Sequence, residues 1–448
     1  MQSQPPAPKF DPSQPHQNTP KLRAVRGFPV QLQNGQQAMG LADARQISDR
    51  MVVAAPAFQV ILPLMDGTRT AQQIVAEIGR GLTLEILGPF IAQLDDAGLL
   101  FGPRFDALMA KVRADFDSSP TLPPAATAQF ADALASQTLG EAFEKATQDE
   151  KDKVAAEKLP ELFDQWITQS LQDQSAPPIE SLPKAIVAPH LDYPRGWLNY
   201  AAIYGRLRGL PSPDRVVILG TNHFGEGTGV VACDKGYQTV LGTCKADRAL
   251  IDALRAKLGE TPFASRYDHE REHSIELHIP WIQHVFGKND KGEFPAVFGA
   301  LIHDPAVNNG DSYDGNGQSL DAFVDALREA LAALPGRTLV ISSADLSHVG
   351  QAFGDEGTLA GETPEAQQMR NNTFNHDREM LELVAQRKPD ELVAAMAWQR
   401  NPTRWCSVGN LVATLKLVQP ERVDLLNYAG AMDEQGITLV TSAALAMH

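Results

Sequence analysis

Residues 338–350 read TLVISSADLSHVG. The apolar run from Thr338 to Ala344 lacks the alternation of a half-exposed strand and fits a strand covered on both faces. It runs straight into Asp345 and, a little further on, His348. Working outward, two more runs behave alike. AIVAP (185–189) leads into His190, and RVVILG (215–220) is followed by Thr221, Asn222 and His223. Helical stretches separate the runs: YAAIYGRL (200–207), ADRALIDALRAKL (246–258) and SLDAFVDALREALAAL (319–334). Apolar β-branched runs alternating with helices predict an α/β fold, a mostly parallel sheet flanked by helices. In such sheets sites form beyond the C-terminal strand ends. Three distant segments therefore bring His190, His223, Asp345 and His348 to one sheet edge. Asp345 and His348 share a direction if their segment turns helical, or bracket a tight turn.

Other residues carry chemistry. Cys406 lies in TRWCSVGN (403–410), just before a helical stretch, LVATLKLV. A thiol near a helix N-terminus serves as ligand or nucleophile, and a buried inert cysteine fits the same context. Residues 269–273, His-Glu-Arg-Glu-His, match the zincin pattern, in which His269 and His273 bind zinc and Glu270 is the base. The flanks are charged where a zincin helix is apolar, so a zinc hydrolase ranks as an alternative. His273, Glu276 and His278 instead start a helix whose polar face edges the site. His303 ends another apolar run and reads as structural or surface. His269 and His284 read as solvated.

The chain has 448 residues, 43% hydrophobic and 21% charged, the composition of an ordinary globular protein. No apolar run approaches a membrane span and the N-terminus lacks a signal-peptide pattern, so neither membrane nor export is expected. The net charge is −16 and no basic block interrupts it, which argues against nucleic acid as a partner. Three cysteines are too few for a disulfide framework and fit a reducing, cytoplasmic setting. Residues 1–20, rich in Pro and Gln, read as a flexible tail. Residues 21–105 read as helix, helix, helix and a terminal hairpin, a winged-helix-like domain without a basic recognition stripe. Within it, APAFQVILPLM reads as an apolar helix, and Thr70 as the cap of another. Residues 106–183 read as a solvated helical linker closing at SAPPIESLPK, and 184–448 as the α/β domain.

The stretches AIVAPHLDYPRG, VVILGTNHFG, EHSIELHIPWIQ, TLVISSADLSHVG and the Cys of RWCSVGN resemble, in this order, the Memo family, known in bacteria and archaea as AmmeMemoRadiSam system protein B. The resemblance implies a fold related to class III extradiol dioxygenases and a mononuclear non-heme metal site. It makes His190, His223 and Cys406 the metal ligands, with Asp345, His348 and His273 beside the metal as catalytic or pocket residues. Iron is the metal it favours, with copper or zinc as alternatives. It implies a dioxygenase-like oxidoreductase acting on a small molecule or peptide, or else a non-catalytic metal- or peptide-binding adaptor. It also implies working partners, an Ammecr1-like protein and a radical SAM enzyme. Where the family has small residues after the first His and Gly after the Cys, this chain has Leu191, Asp192 and Ser407, so Asp192 is a further candidate for the site. The N-terminal residues are similar to an extension found on some bacterial members.

Overall fold

The structure is a computed structural model, describing residues 8–32, 35–172 and 178–448. It divides into two compact units, residues 1–119 and 120–448. The cut falls inside the stretch read as a linker.

In the first unit, a helical turn α1 (Pro15–Asn18) is followed by an antiparallel sheet of β1 (Val25–Gln31), β2 (Gln37–Asp43) and β3 (Met51–Ala54). Helices α2 (Ala71–Ile78), α3 (Leu84–Asp96) and α4 (Pro103–Asp117) complete it. Thr70 caps α2 as expected, in a reciprocal capping box with Gln73. Two expectations change. APAFQVILPLM is not one helix but two 3-10 turns, Pro56–Val60 and Leu62–Leu64, because Pro63, inside the stretch, withholds an amide that one continuous helix would need. The stretch after α3 adds only a bridge, Leu22 to Leu100, before Pro103 opens α4, so the sheet precedes the helices and no terminal hairpin forms. Of the expected tail, residues 1–7 lie outside the described residues. The rest is docked, since buried Gln17 donates to Asp95 and Phe10 packs on the unit's core.

The second unit begins with β4 (Thr121–Leu122), α5 (Ala126–Leu139) and α6 (Gln148–Gln172). Far from being solvated all round, α6 buries Ala155, Leu159, Phe163 and Ile167, whose spacing makes one apolar stripe within a charged sequence. Part of the boundary stretch SAPPIESLPK, residues 175–177, lies outside the described residues. Then come β5 (Ala185–Ala188), α7 (Tyr193–Leu207), β6 (Arg215–Thr221), β7 (Val231–Ala232), β8 (Gly236–Thr239), β9 (Gly242–Cys244), α8 (Arg248–Leu258), α9 (His273–Glu276), α10 (Ile279–Phe286) and β10 (Ala296–Ile302). The chain continues through α11 (Pro305–Asn308), α12 (Leu320–Ala333), β11 (Thr338–Ser343), β12 (Asp345–Val349), α13 (Pro364–Ala385), α14 (Pro389–Gln399), α15 (Val408–Val418), β13 (Val423–Met432) and β14 (Leu439–Met447).

The main sheet runs β12-β14-β5-β11-β6-β10-β7, with β13 on β14, and a small sheet joins β4, β8 and β9. Strands β5, β11, β6 and β10 pair in parallel at the centre, and β7, β12, β13 and β14 are antiparallel flanks. The fold is thus α/β, with its parallel part confined to that centre. The register aligns the strand ends: Ser343 lies beside Ala188 and Ile302 beside Thr221. Whatever follows these strands meets at one edge. Among the described residues no helix is long and apolar enough to cross a membrane.

Candidate metal centre

The residues after β5, β6 and β11 do converge. The ligating atoms of His190, His223 and His273 all lie within 4.8 Å of one another. The ring centroids are 5.1 Å apart for His190–His223, 5.5 Å for His190–His273 and 4.8 Å for His223–His273. His273 arrives on α9, whose N-cap residue is Glu272.

Neighbours fix the Nδ1 proton on two of the rings. The Ser343 hydroxyl donates to the Ser274 carbonyl at 2.5 Å, so its oxygen is left to accept from His190 Nδ1 at 3.0 Å. His223 Nδ1 donates to Glu272 Oε1 at 3.0 Å, and His273 Nδ1 lies 3.3 Å from the same oxygen. The His190 contact leaves Nε2 as its lone-pair nitrogen, and the His223 contact makes Nε2 the nitrogen a metal would take in exchange for its proton, the arrangement in which a carboxylate or hydroxyl behind a histidine orients it towards a metal. Glu272 also accepts the His223 backbone amide at 2.8 Å and that of Ser274 at 2.9 Å. Burial alone would raise its pKa, but the charge and hydrogen bond of His223 outweigh this and hold it at about 2. In turn burial opposes a charged His223, yet Glu272 and the Cys406 thiol push its pKa well up. Burial pushes His190 and His273 the other way, towards the neutral form, and the charge of His223 adds to this, so His223 is the one imidazole of the three favoured as a cation.

Cys406 stands directly before α15, with its Sγ 3.2 Å from His190 Nε2. Several bonds seat it. Asn410 Nδ2 donates to the Ser343 carbonyl at 2.6 Å and to Thr221 Oγ1 at 2.9 Å, and Thr221 Oγ1 donates to the Cys406 carbonyl at 3.1 Å. Gly409 lets α15 close on β10, since a Cβ there would meet the His303 carbonyl oxygen at 2.2 Å. Two donors on one ion, each bound at roughly 2.0–2.3 Å, are separated by only a few ångströms. The spacing of the three imidazoles and of His190 to Cys406 fits that requirement.

Asp345 and His348 both line the same cleft, of about 380 Å³. Their segment is neither helical nor a turn. It is strand β12, in which residues three apart would face opposite ways. The register against β14 slips, with Asp345 opposite Ser442 and His348 opposite Val440, and the extra residue restores a common direction. The Asp345 carboxylate accepts the amides of His190 at 3.0 Å and Leu191 at 3.2 Å, while His348 Nδ1 faces the carbonyls of Leu346 and Arg404 at 3.0 and 3.1 Å. Asp345 thus braces His190 and does not orient His348. Burial pushes Asp345 up to about 7 and His348 down to about 4.

The zincin alternative fails on geometry. Residues 266–270 form a 3-10 turn, and His269 is buried with Nδ1 on the Tyr237 hydroxyl and Nε2 on the Val231 carbonyl, both at 3.0 Å. It is neither solvated nor on one helical face with His273. His284 is half-buried and bonded to Asp164 at 2.7 Å. His303 is buried and bonded to the Gly310 carbonyl at 3.1 Å. His278 is buried on the Tyr204 hydroxyl at 3.0 Å, away from solvent. Asp192 lines the cleft but caps α7 and pairs with Arg195 at 2.5 Å. Glu272 and Ser343, which orient the histidines, were missed. Glu272 sat within a charged run resembling a solvated face, and Ser343 within an apolar strand.

The model of the Memo-like protein family matches residues 155–447, more than half of the chain. A MEMO1 family protein of Thermotoga maritima is 30% identical over 57% of this chain and 79% of its own length. MEMO1 family protein MK0963 of Methanopyrus kandleri is 29% identical over 56% and 77%. A MEMO1 family protein of Aquifex aeolicus is 23% identical over 79% of this chain and 80% of its own. With this extent of match, and the histidine cluster in its shared part, the chain belongs to the family of Memo-like proteins.

Proposed function

We propose that the cleft holds one transition-metal ion on His190, His223 and His273, with Cys406 as a further donor, and carries out a dioxygenase-like oxidation of a small molecule or peptide. The observation that carries this is the three imidazoles within 4.8 Å, with the rings of His190 and His223 set by hydrogen bonds behind them. Nitrogen and sulfur donors suit iron, which the family resemblance favours, and also copper or zinc. When bound, such an ion supplies Lewis acidity and, for iron or copper, electron transfer. The protein's residues would do the rest. Asp345, pushed up to about 7, holds or yields a proton near neutrality, and His348, pushed down to about 4, stands beside it as a neutral imidazole that orients the substrate. A site beyond the ends of a parallel core supports the relationship to class III extradiol dioxygenases. In this reading the protein works in an AmmeMemoRadiSam-type modification system beside an Ammecr1-like protein and a radical SAM enzyme.

Purified protein should hold close to one metal per chain and consume oxygen with a catechol or thiol substrate. His190→Ala and Cys406→Ala should lose both. Metal without turnover, together with a partner retained in pull-down, would instead favour an adaptor.

A further inference from the structure

The metal cleft has a wall that the site's own motifs do not supply. Ala126, Gln129 and Phe130 of α5 line it together with the histidines. These residues lie ahead of the stretch matched by the family model, which begins at residue 155. The wall is nevertheless built in firmly. The carboxylate of Glu276, itself buried, accepts the backbone amides of Ala125 at 2.8 Å, Ala126 at 3.1 Å and Thr127 at 2.9 Å, and the Thr127 hydroxyl as well. These are the unpaired amides at the start of α5, so one side chain from α9, the helix that carries His273, fixes where α5 begins. Phe130 then sits edge-on against Tyr193, with centroids 5.0 Å apart, and Tyr193 is locked by its hydroxyl on the Leu277 carbonyl at 2.7 Å. Phe353, Leu277 and Val440 add further apolar surface to the same cleft.

A cleft with polar ligands at its base and a rigid apolar wall sorts its ligands by their bodies, not only by their metal-binding heads. We propose that α5 is the specificity element of the metal site, and that Phe130 is the platform selecting substrates whose metal-binding head carries a compact apolar or ring-shaped body. This rests on the metal reading above. Phe130 is half-buried, as a platform awaiting a partner would be. Gln129 beside it is exposed at the rim and offers an amide to a polar substituent.

The test uses full-length protein loaded with cobalt(II), and imidazole and 4-phenylimidazole as probes, followed by the visible ligand-field bands. Imidazole should shift the bands. 4-Phenylimidazole should bind about tenfold more tightly, the scale of one well-filled apolar contact. Phe130→Ala should shrink the advantage, read as the ratio of the two affinities in the same variant, to about threefold or less, and Phe130→Leu should keep part of it. An advantage absent from the native protein, or untouched by Phe130→Ala, overturns the platform. No cobalt bands, or no response to imidazole itself, overturns the metal reading first, and the platform with it. Matching thermal denaturation of the variants shows that the wall, not the fold, was changed.

Discussion

Replacing Glu272 by Gln separates the account from a fortuitous meeting of histidines. The buried carboxylate accepts three donors, the His223 amide and Nδ1 and the Ser274 amide, at 2.8–3.0 Å, and His273 Nδ1 lies 3.3 Å away. Gln has one oxygen. Its NH₂ must face one or two of those N–H groups, and each buried donor left without an acceptor costs about 1–3 kcal/mol. The rings are then free to turn or change tautomer, so Nε2 no longer points reliably inward. Loss of such a supporting group lowers metal affinity by about 10- to 100-fold, roughly 1.4–2.7 kcal/mol. Competition against a chromophoric chelator, with zinc or cobalt(II), measures it directly. Native-like affinity in a folded Glu272→Gln protein would refute the claim that Glu272 organises the ligands.

Three further outcomes follow from the same contacts. His278 is buried and neutral, with its pKa pushed down by burial to about 3, whereas the unfolded chain protonates below 6.5, so stability should fall as pH drops from 6.5 towards 3. At pH 5 that is about 2 kcal/mol relative to pH 8, and urea midpoints should show a shallower acid limb in His278→Gln; an unchanged limb would contradict it. Asp377 is a buried carboxylate that accepts Trp405 Nε1 at 2.7 Å and the hydroxyls of Ser347, Tyr428 and Thr441, each at 2.5 Å. Asp377→Asn should cost about 2–4 kcal/mol in chemical denaturation and loosen both the Cys406 loop and the His348 strand, whereas a change below about 0.5 kcal/mol would count against the network. Gly409→Ala should cost about 1–3 kcal/mol and raise the reactivity of Cys406 towards a thiol reagent, because the new methyl pushes α15 off the His303 carbonyl.

Much of the centre was legible because its signal is local. A buried parallel strand is a short continuous apolar run, so AIVAP, RVVILG and TLVISS announced themselves, and the residue after each had to reach the same edge. The flanks were not legible in this way. DLSHV carries Asp, Ser and His inside a strand, which no alternation rule accepts, and only the slip against β14 lets it serve the site. His269 sits in a run of charged residues and reads as exposed, yet a hydroxyl and a carbonyl that arrive from distant β-structure bury it. The same is true of Glu276, whose partners lie at residues 125–127, and with them of the whole α5 wall. Such pairings depend on tertiary placement, and one-dimensional periodicity carries no record of it.

The most direct test of the central claim is X-ray absorption at the edge of whichever metal the protein retains. The account predicts about one ion per chain with imidazole nitrogen scattering near ~2.0–2.1 Å and a sulfur contribution near ~2.3 Å that vanishes in Cys406→Ser. A spectrum without histidine scattering, or unchanged by His223→Ala, would place the ion elsewhere and contradict it.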